Sequence, residues 1–346
     1  MRCISRKPSR AGPAAAPLSR FLQCPPFTAP AAQGTLRSER RGCEWRCGAP
    51  GLLGTNAPGT LPEVMTTRPI LVAGATGNVG GAVVRALADA GVPVRALARS
   101  GRAPTLPAGA EAVSGDLDDP ASLAGPLDGA EAAFLLPGFS DMPGVLARAR
   151  AAGVARVVLL SGSSAEDDEH HRDDAITQYM RESERAVREG GVAWTILRPS
   201  GFMTNALEWR DQLREGDTVR APFADVRIAV IDPADIGAVA AVALRGDEHT
   251  GRALRLTGPE PLTVGDRVRI LGEALGRPLR LEPKRDDETH AQMSASMPPQ
   301  YVDAFFSFYV EGKLDESVVL PTVEEVTGRP PRTFAQWAAA NAEAFA

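Results

Sequence analysis

ILVAGATGNVGGAVVRALADAG, residues 70–91, begins as a strand and ends as a helix. The apolar run at its head stops at Gly74. Val79, Val83, Val84, Leu87 and Ala88 then recur at helical spacing, and Gly91 stands where a helix ends. Between the two lies Gly74-x2-Gly77-x2-Gly80. A bare glycine pattern carries little information, but between a strand and a helix it has a mechanism. Gly74 permits the tight turn, Gly77 lets the backbone approach a pyrophosphate with no Cβ in the way, and Gly80 allows close helix–strand packing. The helix N-terminus adds free N–H groups and a partial positive charge. Thr76, Asn78 and Val79 complete the candidate contact set. A glycine-rich turn that holds no ligand is the alternative reading.

Outward from this unit, short apolar or β-branched runs alternate with helical patterns: VRALA (94–98), EAVSG (111–115), AAFLLP (132–137), RVVLLS (156–161) and AWTILR (193–198). Such alternation predicts a parallel sheet. Several runs are apolar at consecutive positions, as strands covered on both faces are. The expectation is an α/β fold with a doubly wound parallel sheet of the Rossmann type, with ligands at the carboxyl ends of the strands. Beyond Arg198-Pro199 the rhythm changes to a helix over 204–214, a strand near 226–231, a helix over 232–244 and a strand near 252–257. Helices follow near 263–275, 299–311 and 333–345. This divides the chain into a dinucleotide-binding domain over 65–255 and a small C-terminal α/β substrate lobe over 256–346, to which 203–224 also contributes.

Residues 1–64 read differently. All four cysteines (Cys3, Cys24, Cys43, Cys47) lie there, as do nine Lys/Arg against three Asp/Glu, a net of +6 within a chain total of −5 that leaves −11 for the rest. The stretch is rich in Pro, Ala, Gly and Arg without apolar periodicity, as in a disordered or spurious extension ahead of a start at Met65. The cysteine-free remainder suits a reducing, cytoplasmic setting. No apolar run is long enough for a membrane span. The acidic balance after residue 64, with no basic stripe, argues against a nucleic-acid partner. A metal site is not expected either: Cys43-x3-Cys47 lacks a second pair, and His170 and His171 are neighbours in the polar segment Glu166–Asp174, where adjacent side chains rarely converge on one ion.

Dinucleotide binders selective for NAD(H) commonly carry Asp or Glu at the end of the second strand. Here that place holds Ala98-Arg99, followed by Ser100 and Arg102. A guanidinium pairs bidentately with a 2′-phosphate that a carboxylate would repel, which favours NADP(H) over NAD(H). A solvated surface arginine is the alternative.

Taken together, GATGNVG (74–80), GDLDDPASL (115–123), VVLLSG (157–162), WTILRPSGFMTN (194–205), DPADIGAVA (232–240), LTGPEPLT (256–263) and TFAQWAAANAEAF (333–345) resemble the atypical short-chain dehydrogenase/reductases of the NmrA-like, NAD(P)H-binding kind, similar to quinone and triphenylmethane reductases. The resemblance spans Pro69–Phe345. It implies that Asp116 and Leu117 border the adenine, that Leu135, Leu136 and Pro137 pass near the ribose and nicotinamide side, and that Pro199 through Phe202 lie against the nicotinamide. Asp116 as a cap for the helix beginning near Asp119 is an equal alternative.

The broader superfamily uses a Tyr-x3-Lys pair as its proton donor. Anchored on Glu184, the tyrosine position falls on Ile176 and the lysine position on Met180, neither of which transfers a proton. Tyr179 lies about 100° away around the helix and does not inherit the role. Ser161 stands where the superfamily's catalytic serine would be and is the candidate catalytic residue; without a tyrosine partner, orienting a ligand or satisfying a loop is the competing role. The aromatic run Phe305, Phe306, Phe308 and Tyr309 reads as core, with a flat apolar pocket as its second reading. The expectation is therefore an NADPH-dependent reductase of a small planar or quinone-like substrate, or, in a different class, a non-enzymatic NADP(H) sensor.

Overall fold

The computed structural model describes residues 68–99, 105–166 and 173–346. Seven strands, β1 (Ile70–Val72), β2 (Val94–Ala98), β3 (Ala110–Ser114), β4 (Ala132–Leu135), β5 (Arg156–Leu160), β6 (Ala193–Pro199) and β8 (Arg252–Leu256), form one parallel sheet in the order β3-β2-β1-β4-β5-β6-β8. β7 (Thr218–Ala221) and β9 (Arg280–Pro283) pair separately, also in parallel. The helices are α1 (Asn78–Asp89), α2 (Ala124–Leu127), α3 (Met142–Ala151), α4 (Ala175–Glu189), α5 (Arg210–Glu215), α6 (Pro233–Arg245), α7 (Val264–Leu275), α8 (Asp286–Ser294), α9 (Pro299–Tyr309), α10 (Thr322–Thr327) and α11 (Phe334–Ala340).

Central strands β1 and β4 are buried at every residue because helices cover both faces of the sheet. On one face Val79, Val83 and Leu87 of α1 pack with Ile236, Val239 and Leu244 of α6. On the other, Leu127 of α2, Val145 and Leu146 of α3 and Val187 of α4 pack against Leu71, Ala133 and Leu159. This is the doubly wound Rossmann-type sheet expected from the sequence. Gly237 explains how α1 and α6 come so close: a Cβ there would lie 2.7 Å from the Ala82 backbone carbon.

A third apolar cluster joins Met203, Trp209, Leu213, Val219, Val264, Val268, Leu271, Phe334, Trp337 and Phe345. The last segment also returns to the sheet. Asp235, fully buried, accepts from Arg329 Nη1 and the Arg332 backbone N–H, each at 2.7 Å, and Asp232 accepts from Arg332 Nη1 at 2.7 Å. Asp232 also caps α6 through the Ala234 N–H. The DPAD segment thus starts a helix and clasps the chain end.

Local expectations failed in this half. Residues 226–231 form no regular strand, because their N–H groups go to separate partners: Ile228 to Leu262, Ala229 to Glu316 and Ile231 to Gly201. A ladder needs one partner strand. The helix expected over 204–214 is a 3₁₀ turn, Met203–Trp209, followed by the short α5. The pattern gave no sign of β7, β9, α8 or α10. Among the described residues no helix is long and apolar enough to cross a membrane, and no group of three metal-binding side chains forms.

Candidate active site

The order of the sheet opens a crevice where β1 sits between β2 and β4, since the chain runs outward to β3 on one side and returns to β4 on the other. The glycine loop fills the mouth of that crevice. Gly74 has a φ of +64°, and its carbonyl accepts the Gly77 N–H at 2.8 Å, closing the turn. A Cβ on Gly80 would lie 2.2 Å from the Gly74 carbonyl oxygen, so the first turn of α1 can rest on the loop only as glycine. The Leu136 side chain, at the end of β4, closes over Gly74.

Helix α1 also lacks a side-chain cap. Of the four described helices with twelve or more residues, α4, α6 and α7 are capped by Asp174, Asp232 and Thr263, whereas Gly77 at the head of α1 provides none. Its first N–H groups therefore point into the crevice without an intrahelical partner. A phosphate bound there would satisfy them, and the glycines leave room for its approach. The residues present fit a dinucleotide.

The other expected cofactor contacts that are described lie at or just after the carboxyl ends of β2, β3, β4 and β6. Arg99 is exposed just beyond β2. Arg95 is separated from it in role: it bonds the Pro126 carbonyl at 3.0 Å and Glu111 at 3.2 Å. Ser100 and Arg102 lie outside the described residues, as do His170, His171 and residues 1–64. Asp116, half-buried, follows β3, and Leu117 beside it is buried. The capping alternative for Asp116 does not hold, because Asp119 caps the 3₁₀ turn at Pro120–Leu123 through the Ala121 N–H. Asp116 instead accepts from the Asp118 N–H at 3.0 Å. Pro199 ends β6, and the segment after it is pinned by Ser200 N–H to Leu256 and by Met203 N–H to Ile231, with Phe202 half-buried between.

Ile176 is buried against Tyr301, Ala304 and Phe308 of α9, and the Met180 side chain lies beside Gly162 after β5. Buried apolar side chains thus occupy both positions that hold the superfamily's proton-transfer pair. The Tyr179 hydroxyl donates to the Pro137 carbonyl at 3.0 Å, and its ring fills the space that a Cβ on Gly138 would need. Ser161, buried, donates to Glu184 Oε1 at 2.7 Å. Glu184 is fully buried; it accepts both Arg198 Nε (2.9 Å) and Nη2 (2.7 Å), and Arg188 lies 3.0 Å away. Ser161 is therefore one corner of a buried ionic network.

Residues that the sequence did not single out complete the site. Glu316, from the segment between α9 and α10, enters the sheet end: Ser163 Oγ donates to it at 2.5 Å and the Tyr309 hydroxyl at 3.0 Å, and the Gly201 N–H also bonds its carboxylate. Burial pushes the Glu316 carboxyl up from its usual value, and burial together with the Glu316 charge pushes the Tyr309 hydroxyl well up. Tyr309 joins an aromatic wall with Phe223 at 5.2 Å, and Phe223 meets Phe306 at 5.7 Å. Phe223 holds a φ of 53°, the only positive φ outside glycine among the described residues. Phe308 is core, while Phe305, Phe306 and Tyr309 are half-buried, so the aromatic helix serves both readings at once. Nothing in the local pattern marks Glu316 or Phe223. Arg267 did leave a signal: it occupies the apolar stripe Val264, Arg267, Val268, Leu271 of α7.

A Rossmann-type sheet, a glycine cradle at its switch point and an uncapped helix facing it define a dinucleotide-binding α/β protein. Within that class the chain belongs to the NmrA-like family, whose profile matches residues 66–324. It is 43% identical over 282 residues to the (4-alkanoyl-5-oxo-2,5-dihydrofuran-3-yl)methyl phosphate reductase of Streptomyces griseus, covering 80% of this chain and 99% of that one. It is 36% identical over 285 residues to the NAD(P)H azoreductase of Xenophilus azovorans, again covering 80% and 99%. Among solved structures, the Citrobacter sp. triphenylmethane reductase complexed with NADP(H) has the same fold, with a TM-score of 0.63 at 20% identity over 79% of this chain and 99% of that one.

Proposed function

We propose that this protein is an NAD(P)H-dependent reductase, using NADPH in preference to NADH, that reduces a small planar or quinone-like acceptor by hydride transfer. The observation that carries this reading is the pairing of an uncapped dinucleotide cradle with Ile176 packed against α9 and Met180 buried beside Gly162. With Ile176 and Met180 in place of the usual pair on α4, the site suits an acceptor that stabilises the developing charge by its own delocalisation and takes its proton from water. The substrates named for the two relatives above fit this requirement, one being an azo compound and the other a furanone conjugated to an alkanoyl group.

The N–H groups at the start of α1 and the backbone of Gly74, Gly77 and Gly80 would hold the pyrophosphate, and Arg99 the 2′-phosphate. Asp116, Leu117, Leu136 and Pro137 would border the adenosine and ribose, while Pro199–Phe202 would support the nicotinamide ring. Bound NADPH supplies the hydride and is released oxidised. The wall of Phe223, Phe306 and Tyr309, in which the Phe306 and Tyr309 rings stand at 79° and 47° to Phe223, offers an apolar lining to the acceptor. Much of the rate then comes from holding donor and acceptor in register.

The test is NADPH oxidation by the purified protein with a panel of quinones and azo dyes. Saturable turnover above the free-solution rate is expected. Tight NADPH binding with no turnover on any acceptor would overturn the enzyme and leave the redox-sensor alternative.

A further inference from the structure

Four carboxylates are buried among the described residues, and three of them are answered by arginine: Glu184 by Arg198 and Arg188, Asp235 by Arg329, and Asp232 by Arg332. Glu316 is the fourth and forms no ion pair. Arg255 and Arg267 act on it only through space; Arg255 is paired with Glu166 at 2.9 Å, and the Arg267 guanidinium carbon lies 5.9 Å from the Trp209 ring centroid. A carboxylate taken out of water without a cation is destabilising unless donors converge on it. Three do: Ser163 Oγ lies 2.5 Å from Oε1, the Tyr309 hydroxyl 3.0 Å from Oε2, and the Gly201 N–H completes the set.

Those donors come from three places that the chain keeps far apart. Ser163 follows β5, Gly201 follows β6, and Tyr309 ends α9 and stands in the aromatic wall with Phe223. Gly201 turns its bare Cα toward the carboxylate, since a Cβ there would lie 3.9 Å from Oε2. The strap that carries Glu316, residues 315–320, is held by its own main chain. The Asp315 carbonyl accepts from Arg255 Nη2 at 2.7 Å, the Glu316 carbonyl from the Ala229 N–H at 2.7 Å, and the Leu320 N–H donates to Thr257 Oγ1 at 2.9 Å. The strap therefore stays in place without the carboxylate. What the carboxylate adds is a rigid link from the ends of β5 and β6 to the aromatic wall.

We propose that Glu316 is a positioning residue for hydride transfer: it ties the segment Pro199–Phe202, which supports the nicotinamide, to the wall that receives the acceptor, and so fixes the distance between donor and acceptor. This deepens, and rests on, the reductase reading above. Glu316 acts through Gly201 and Tyr309. Because the pyrophosphate cradle lies elsewhere, at Gly74–Gly80, the tie governs rate and leaves cofactor affinity to the cradle.

The test compares wild type, Glu316→Ala, Glu316→Gln and Tyr309→Phe as full chains, by single-turnover oxidation of NADPH with menadione and by the fluorescence lifetime and acrylamide quenching of bound NADPH. Glu316→Ala should lower kcat at least about tenfold while NADPH affinity stays within about threefold, the split expected when register is lost and binding is kept. Its bound nicotinamide should show a shorter lifetime and faster quenching. Glu316→Gln should restore most of the rate, because an amide oxygen can accept from Gly201 and Tyr309 while its NH2 donates to Ser163 Oγ. Where the Ala variant does not fold, Tyr309→Phe decides the matter: it keeps the ring, cuts one anchor, and should lower kcat about threefold or more at unchanged NADPH affinity. Loss of NADPH affinity in proportion to rate, wild-type turnover by Glu316→Ala, no recovery in Glu316→Gln, or a wild type that binds no NADPH would each overturn the proposal. The lifetime needs no turnover, so a loosened nicotinamide in Glu316→Ala of a protein inactive on every acceptor would refute the reductase reading and leave the tie standing.

Discussion

Replacing Gly80 by alanine would place a Cβ 2.2 Å from the Gly74 carbonyl oxygen, 2.5 Å from the Gly74 carbon and 2.8 Å from the Ala73 oxygen. All three atoms are backbone, so no rotamer change relieves the clash. An ordinary carbon contact begins about 1 Å farther out, and the first turn of α1 or the loop must move by roughly that amount. Overpacking of this kind costs about 1–3 kcal/mol of stability. The same movement takes the free N–H groups of α1 out of line with a pyrophosphate, and losing one charge-assisted hydrogen bond weakens binding by at least about tenfold. Gly81→Ala is the control, since its Cβ would meet only the Ala75 oxygen at 3.3 Å and the flexible Arg85 Nη1 at 3.6 Å. In a helix that exchange gains up to about 1 kcal/mol of propensity. NADPH fluorescence titration and urea denaturation of both variants provide the assay. Gly80→Ala binding NADPH within about threefold of wild type, with an unchanged unfolding midpoint, would refute the reasoning; so would equal damage from Gly81→Ala.

Glu184→Ala strips Arg198 of its buried partner, and urea denaturation should register a loss of about 3–5 kcal/mol; a change under about 1 kcal/mol would mean that the network is not holding α4 to β6. Arg99→Ala should weaken NADPH about tenfold or more and NADH only slightly, with equal losses showing that Arg99 does not hold the 2′-phosphate. Glu316 is raised by burial, so in the folded protein it keeps its proton to a higher pH than in the unfolded chain. Its contribution to stability is therefore fully present below the usual carboxylate pKa and lost as pH rises through the folded value. Glu316→Gln removes that loss, and its stability relative to wild type should improve between pH 4.5 and pH 8, as read by thermal unfolding at both ends; a pH-independent difference would contradict the assignment.

The glycine loop, the six leading strands and the helices against them were legible because each depends on local periodicity and on glycine at positions three residues apart. The structure adds why: Gly74 turns with positive φ, Gly80 touches the loop backbone, and Val79, Val83 and Leu87 bury one face. The departure from the usual proton-transfer pair was also visible as Ile176 and Met180, although only the structure shows Ile176 closing α4 onto α9.

The other side of the site has no local signature. Residues 226–231 look like a strand in isolation, but their backbone partners come from three separate segments, so apolar alternation produced a pinned loop. Ser163 and Glu316 meet across 153 residues of sequence, and no spacing rule brings them together. Arg267 stood visibly on an apolar stripe, yet whether a carboxylate awaited it depended on how α7, the Trp209 turn and the segment after α9 assemble. The sequence by itself determined the sheet and the cradle for a dinucleotide, because both are built from neighbouring residues. Only the tertiary structure decided which side chains meet across the other half of the molecule, because burial, charge pairing and desolvation are properties of segments distant in the chain.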